Sequence, residues 1–306
     1  SVTITGTNLI GATSVKFGGV NASSFSVDGA TQITATAPSA SGTVGIAVTN
    51  DAGTSSLTAA DQFTYITPPV ANAVSATVAH GSSANPITLN ITGAAANSVA
   101  VGTQATHGTA TASGTTITYT PVASYSGTDT FTYTATNGGG TSAPATVSIT
   151  VSNATVTYSP SSPSAGGVGS AYSQSIASAS GATAPYSYAL ASGSLPAGLT
   201  LASNGTISGT PTAGGSFNIT VTATDSSTGT GPFSATSGTL TLTVAAPTIA
   251  VNPASLSNAT AGSAYSASVT GSGGTSAYSF AVTAGSLPAG LTLASNGTLS
   301  GTPTAS

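Results

Sequence analysis

Apolar and polar residues alternate one for one along much of the chain. Phe217, Ile219, Val221 and Ala223 stand between Asn218, Thr220, Thr222 and Thr224, and TLTLTV at 239–244 keeps the same rhythm. A period of two places successive side chains on opposite faces of an extended strand, one face buried and the other wet. The pattern returns in SVTITG, GIAVTN, TITYTP, FTYTATN and TVSITV, separated by Gly, Asn and Ser clusters. No stretch sets Leu, Glu, Lys and Gln at the 3.6 spacing of an amphipathic helix, and threonine is abundant. Many short strands with regular turn signals predict an all-β chain of antiparallel β-sandwiches.

Prolines and strand ends mark the boundaries: YITPPVANA around Pro68 and Pro69, VSNATVTYSP around Asn153, and TVAAPTIAVNP around Pro247. Four units are expected, 1–67, 68–152, 153–245 and 246–306, arranged as beads on a string. The last two repeat each other. GSLPAGLTLASNGTISGTPTA at 193–213 returns at 285–305 with Ile207 replaced by Leu299, and Leu195 and Leu287 stand 92 positions apart. Upstream, Tyr172 matches Tyr265 and Tyr188 matches Phe280. A period this long is a domain, not one turn of a solenoid. Within the phrase, Pro196 presets a turn, Leu199 and Leu201 share a strand face, and Asn204-Gly205 supplies a hairpin turn before Ile207 returns. Pro211 then ends the ladder.

Charge changes the picture. One Lys, no Arg and five acids amount to 2% charged residues, against roughly 25% in ordinary soluble domains. With 39% hydrophobic residues the chain still has material for cores, so its surface must be Ser, Thr, Asn, Gly and Ala. A surface without a basic stripe excludes nucleic acid as a partner and offers little to an anionic membrane. No apolar run is long enough for a membrane span, and there is no cysteine for disulfides or thiolate metal sites.

The duplicated phrase resembles the immunoglobulin-like repeat of bacterial surface proteins that carries Leu-Pro-x-Gly-Leu, an Asn-Gly turn and Gly-Thr-Pro. That resemblance covers about half the chain. The first unit, with Gly-Thr-Asn at 6–8, Val-Lys-Phe-Gly-Gly at 15–19 and a Pro followed by a Gly-x-x-x-Ile-x-Val strand, resembles an IPT/TIG domain. The second, ITYTPVASYSGTDTFTYTATNGGGTSAPATVSITV, is similar to the cadherin-like and immunoglobulin-like tandem domains of large bacterial adhesins. All three resemblances imply an immunoglobulin-like sandwich and a secreted or cell-surface setting. Against the family pattern, the first unit lacks a strand before Ser1, and the last lacks the counterpart of residues 214–245. Two readings meet this: a segment of a longer repetitive protein, or subunits that complete each other by strand donation. Because no visible segment is spare to fill the gap, the first is favoured, and head-to-tail assembly by other contacts stays open.

Catalytic chemistry finds little support. The acids Asp28, Asp51, Asp61, Asp129 and Asp225 are scattered singly, so no carboxylate pair stands out. His80 and His107 share a unit with Asp129, but no Gly-x-Ser-x-Gly elbow exists, and exposed loop or strand histidines are expected instead. Two histidines without a third ligand do not make a zinc site. Asp225, in TATDSSTG, stands alone, which disfavours a calcium-stiffened linker. Lys16, flanked by inward Val15 and Phe17, should point outward and is poorly placed for an isopeptide bond. Sequons at Asn21, Asn90, Asn153, Asn204, Asn218, Asn258 and Asn296 are expected by chance in so Ser/Thr-rich a chain. Tyr186 with Tyr188, and Phe131 with Tyr133, share faces and are read as core, not as a sugar-binding platform.

No catalytic, cofactor-binding or metal-binding residue is therefore assigned. The expected function is a non-enzymatic extracellular structural protein, a filament or sheath subunit or the stalk of a large adhesin, from a bacterial cell surface. Its expected partners are copies of itself or neighbouring domains of a longer chain, with a glycan or cell-surface ligand as a further option. The alternative is a carbohydrate-binding accessory array of a secreted polysaccharide-degrading enzyme, which exposed aromatics on one sheet face would favour.

Overall fold

The alternation becomes strands almost without exception in the computed structural model, which describes residues 1–274 and 277–304. Ala305, the end of the second phrase, and Thr275–Ser276 in the upstream repeat match lie outside the described residues. The sheets are held in two compact units, Ser1–Asn153 and Ala154–Ser306.

In residues 1–65 a sheet ordered Val2–Thr5, Gln32–Thr36, Ser24–Gly29 accompanies a second built on Gly42–Asn50, which pairs with Ser14–Phe17 and Gln62–Tyr65. Leu9, Val15, Phe17, Ile33 and Ala35 form the core between them. Phe63 bridges Phe17 and Tyr65 by edge-to-face contacts at 5.2 and 4.9 Å, a geometry the ring quadrupole favours.

The strands Val74–Val78, Ala145–Val151, Tyr125–Asn137 and Ser98–Val101 lie side by side in residues 66–153. A three-stranded sheet, Asn85–Ile87, Thr116–Pro121, Gly108–Ser113, belongs to the same core. Phe131, Tyr133, Val147, Ile149 and Val151 are at most 1% exposed, as their parity predicts. Each such side chain contributes about 1.5–3 kcal/mol by leaving water.

Residues 154–245 repeat the plan, with Leu240–Ala245, Gly215–Thr224 and Ser187–Gly193 in one sheet and Tyr172–Ser175, Thr206–Gly209 and Leu199–Leu201 in the other. The phrase forms the predicted hairpin: Leu199–Leu201 pairs Thr206–Gly209, Leu199 is buried and Thr200 exposed. Its turn is looser than a two-residue one, because only Gly205 takes positive φ while the Asn204 side chain accepts the Thr206 amide at 3.0 Å. In 246–306 the same hairpin, Leu291–Leu293 with Thr298–Gly301, recurs. Ile249 and Val251 are 62% and 57% exposed there, whereas their counterparts Val156 and Tyr158 are 9% and 5%.

Two features refine the all-antiparallel expectation. Val74–Val78 runs parallel to Ala145–Val151, and Gly166–Gly167 parallel to Leu240–Ala245, so an early strand closes each sheet beside its last one. One helical turn, Ala59–Asp61, also appears. Thr58 and Asp61 cap it reciprocally, the Thr58 amide donating to Asp61 at 2.7 Å and the Ala60 amide to the Thr58 hydroxyl at 3.3 Å.

Candidate functional site

The residues richest in chemical potential gather around Tyr125 in residues 66–153. His107 is exposed and its ring stacks on Tyr125 at 4.0 Å and 3°. His80 departs from the expected exposed histidine: it is half-buried, with Nδ1 3.2 Å from the Tyr125 carbonyl and 3.0 Å from Ser126 Oγ. The strand start Tyr125–Ser126 is what draws it in, since a buried hydroxyl and carbonyl there need partners.

This grouping contains Ser, His and Asp, yet it lacks the geometry of a nucleophile. Ser126 is fully buried and donates its hydroxyl to the Ser152 carbonyl at 3.1 Å. Asp129 is occupied by hydroxyls and backbone amides. Its carboxylate accepts the Tyr119 hydroxyl at 2.7 Å, the backbone amides of His107 at 2.9 Å, Thr106 at 3.1 Å and Thr130 at 2.9 Å, and the Thr106 hydroxyl at 3.2 Å. Burial alone would raise its pKa, but these donors outweigh that and hold the carboxyl below the ordinary 3.8. Burial and the hydrogen bond to Asp129 push the Tyr119 hydroxyl well above its usual value. The arrangement ties the 104–107 segment to the long strand.

Asp225 serves in the same way in residues 154–245. It is 5% exposed and accepts Phe233 N at 2.7 Å, Ser227 Oγ at 2.9 Å and Thr183 N at 3.3 Å, and these donors outweigh burial to lower its pKa. Asp28 is on the surface, its pKa lowered by Thr34 and Ser26 hydroxyls at 2.7 and 2.9 Å. Reading the acids as catalytic or metal-binding candidates overlooked the structural roles of Asp129 and Asp225. The signal was present: Asp129 has the inward parity of Phe131 and Tyr133, and Asp225 that of Val221 and Ala223.

Lys16 points outward beside Asn21 and Ala47, with no carboxylate among these cross-strand neighbours. All seven sequon asparagines are exposed. Among the described residues no group of three or more His, Cys, Asp or Glu could hold a metal ion. Tyr188, Phe131 and Tyr133 are core residues, and Tyr186 is half-buried with its hydroxyl accepting the Ala182 amide. Tyr158 packs against Tyr188 at 5.4 Å, and burial pushes its hydroxyl up to about 12. Of ten tyrosines and seven phenylalanines, Phe25 alone is exposed, at 36%.

Family profiles match almost the whole length. IPT/TIG domain matches 1–65, Bacterial Ig domain 66–150, and Putative Ig domain both 154–245 and 247–306. The chain is a tandem of Ig-like domains. No curated protein matches it. Among solved structures, the protocadherin GammaB4 extracellular domain is 14% identical, covers 96% of this tandem and has a TM-score of 0.28; the tandem spans 56% of that chain. An I-band fragment of titin is 15% identical over 76% of this chain and 87% of its own, at a TM-score of 0.40. Human CDH23 EC21-23 is 15% identical over 78% and 91%, at 0.31. Among the described residues no helix is long and apolar enough to cross a membrane.

Proposed function

We propose that this Ig-like tandem is a non-enzymatic, extracellular structural array of four sandwich modules, bounded near residues 67, 152 and 245, that acts as a filament or sheath subunit or as the stalk of a large bacterial adhesin. Its mechanism is mechanical: hydrogen-bonded ladders and packed cores carry load along the chain. The observation that carries this reading is where the chemistry goes. Both inward carboxylates, Asp129 and Asp225, are consumed in holding loops to strands, and Ser126 is sealed beneath the surface. The domain families point the same way, since Ig-like domains of these kinds are typically non-catalytic.

The carbohydrate-binding alternative depends on exposed rings, because sugar faces stack on aromatic faces. With Phe25 as the exposed aromatic, no ring platform favours it. Electron microscopy of the native material at low concentration tests the proposal. Regular fibres identify a polymer subunit and isolated slender rods a stalk. Compact particles, or turnover of a substrate abolished by changing His80 or His107, overturn the structural reading.

A further inference from the structure

Two sandwiches joined by a short linker move against each other by default, unless something holds the linker. The ladders of residues 1–65 end at Tyr65, paired with Gly42, and those of 66–153 begin at Pro69, paired with Gly93. Between them stand Ile66, Thr67 and Pro68. Thr67 precedes Pro68 and Pro68 precedes Pro69, and a residue before proline is confined to extended backbone. The two rings also fix φ at their own positions. Ile66 is then the linker position with ordinary backbone freedom.

The turn Gly138-Gly139, which joins the long strand Tyr125–Asn137 to Gly140–Thr141, lies against it. A Cβ on Gly139 would fall on the Ile66 carbonyl, and one on Gly138 would touch the Ile66 side chain at 3.5 Å. Neither glycine lies in the left-handed region, so what requires glycine at 139 is the close approach of two backbones. The same turn reaches the next linker residue through Asn137, which is 8% exposed. Its Nδ2 donates to the Thr67 carbonyl at 2.9 Å and the Ala95 carbonyl at 3.2 Å, while its Oδ1 accepts the Gly139 amide at 2.8 Å. One side chain thus fixes the turn and ties the linker to it. On the other side of the linker, Ala37, Pro38 and Ser39 of the first sandwich line a cleft with Ile66, Gly138 and Gly139. Ser1–Asn153 is correspondingly a single compact unit.

We infer that the turn at Asn137–Gly140 is a clamp that locks the linker, so that residues 1–65 and 66–153 move as one rigid body. The clamp makes the first junction a stiff joint in place of a hinge. A bending force on one sandwich reaches the next through the turn as well as through the covalent chain. The inference goes further than the structural reading, which holds whether or not this junction bends.

Double electron–electron resonance on the full chain tests it, and a sequence without cysteine makes the labelling specific. Spin labels are attached through Thr5→Cys and Ser148→Cys, exposed strand positions in the two sandwiches. The parent should give one narrow distance. A variant with two glycines inserted between Ile66 and Thr67 supplies the distribution of a free joint, several times wider. Gly139→Ala drives the turn off the Ile66 carbonyl, and Asn137→Asp removes both amide donors. Each should displace the distance or broaden it towards that of the insertion variant. Gly114→Ala, in a turn with open space around it, should keep the parent's distance and width. A parent as broad as the insertion variant overturns the inference. So do Gly139→Ala and Asn137→Asp chains that both keep the parent's narrow distance, or a Gly114→Ala chain that broadens equally. If one joint variant fails to fold, the other gives the reading, and the comparison of parent with insertion variant decides without either. Microscopy judges the structural reading separately: fibres or slender rods together with a broad parent distribution remove the clamp alone.

Discussion

A carboxylate beneath the surface of a protein with a single lysine has no cation to pair with and must be held by hydrogen bonds. Asp129 and Asp225 are held in that way, and their stability contribution follows. Asp129→Ala leaves the buried Tyr119 hydroxyl and several amides without their acceptor, at about 1–3 kcal/mol for each group left unsatisfied. A loss of about 3 kcal/mol or more in the urea unfolding of residues 66–153 is expected, with a smaller loss, near 1 kcal/mol, for Tyr119→Phe. The acid dependence has a definite sign. Both folded-state pKa values lie below the ordinary 3.8, so the stabilisation is complete well above 3.8 and declines as pH falls through the lowered values. Urea midpoints measured from neutral pH down into that range should drop, and less steeply in Asp129→Asn. Their burial was legible from parity, but their partners were not. Tyr119 lies 10 positions away and Thr106 lies 23, and only the folded sheet brings them together.

At the level of elements, the duplicated phrase acquires a physical cause. Gly198, in the turn just before Leu199–Leu201, and Gly209, at the end of the paired strand, have φ of +90° and +137°, and Thr210 N donates to Gly198 O at 3.1 Å. A Cβ on Gly209 would fall on the Gly198 carbonyl, and one on Gly198 would fall on the Thr210 carbonyl. Gly290 and Gly301 make the same contact in the second copy. The spacing from Leu-Pro-x-Gly-Leu to Gly-Thr-Pro is therefore the spacing of two backbones that touch. Gly209→Ala should cost about 2 kcal/mol or more, combining the strained φ with the clash, and should speed amide exchange in 199–209; an unchanged melting curve contradicts this. The linker after the first domain is held by a further element contact, Asn137 Nδ2 donating to Thr67 O at 2.9 Å and Ala95 O at 3.2 Å. Strand positions, the hairpin and the inward residues could be read from periodicity because they depend on local pattern. The two parallel ladders could not, because pairing partners such as Val74 and Val147 are chosen by the whole sandwich. The Ala59–Asp61 turn escaped because a single capped turn leaves no 3.6-residue rhythm.

Over the whole molecule, stability rests on burial and hydrogen bonds, and the proposed association rests on an almost uncharged surface. Ionic strength screens charges and little else at moderate salt. Assembly and melting temperature should therefore hardly change between low and moderately high NaCl, or over a shift of a few pH units around neutrality. Disassembly under either change contradicts the picture. The central claim, that independent sandwiches in series carry load, is tested most directly by stretching single chains in an atomic force microscope. The matched segments 66–150 and 154–245 should unfold in separate force peaks, each releasing roughly 300 Å at about 3.5 Å per residue. One cooperative rupture of the whole chain, or featureless extension without peaks, would contradict it.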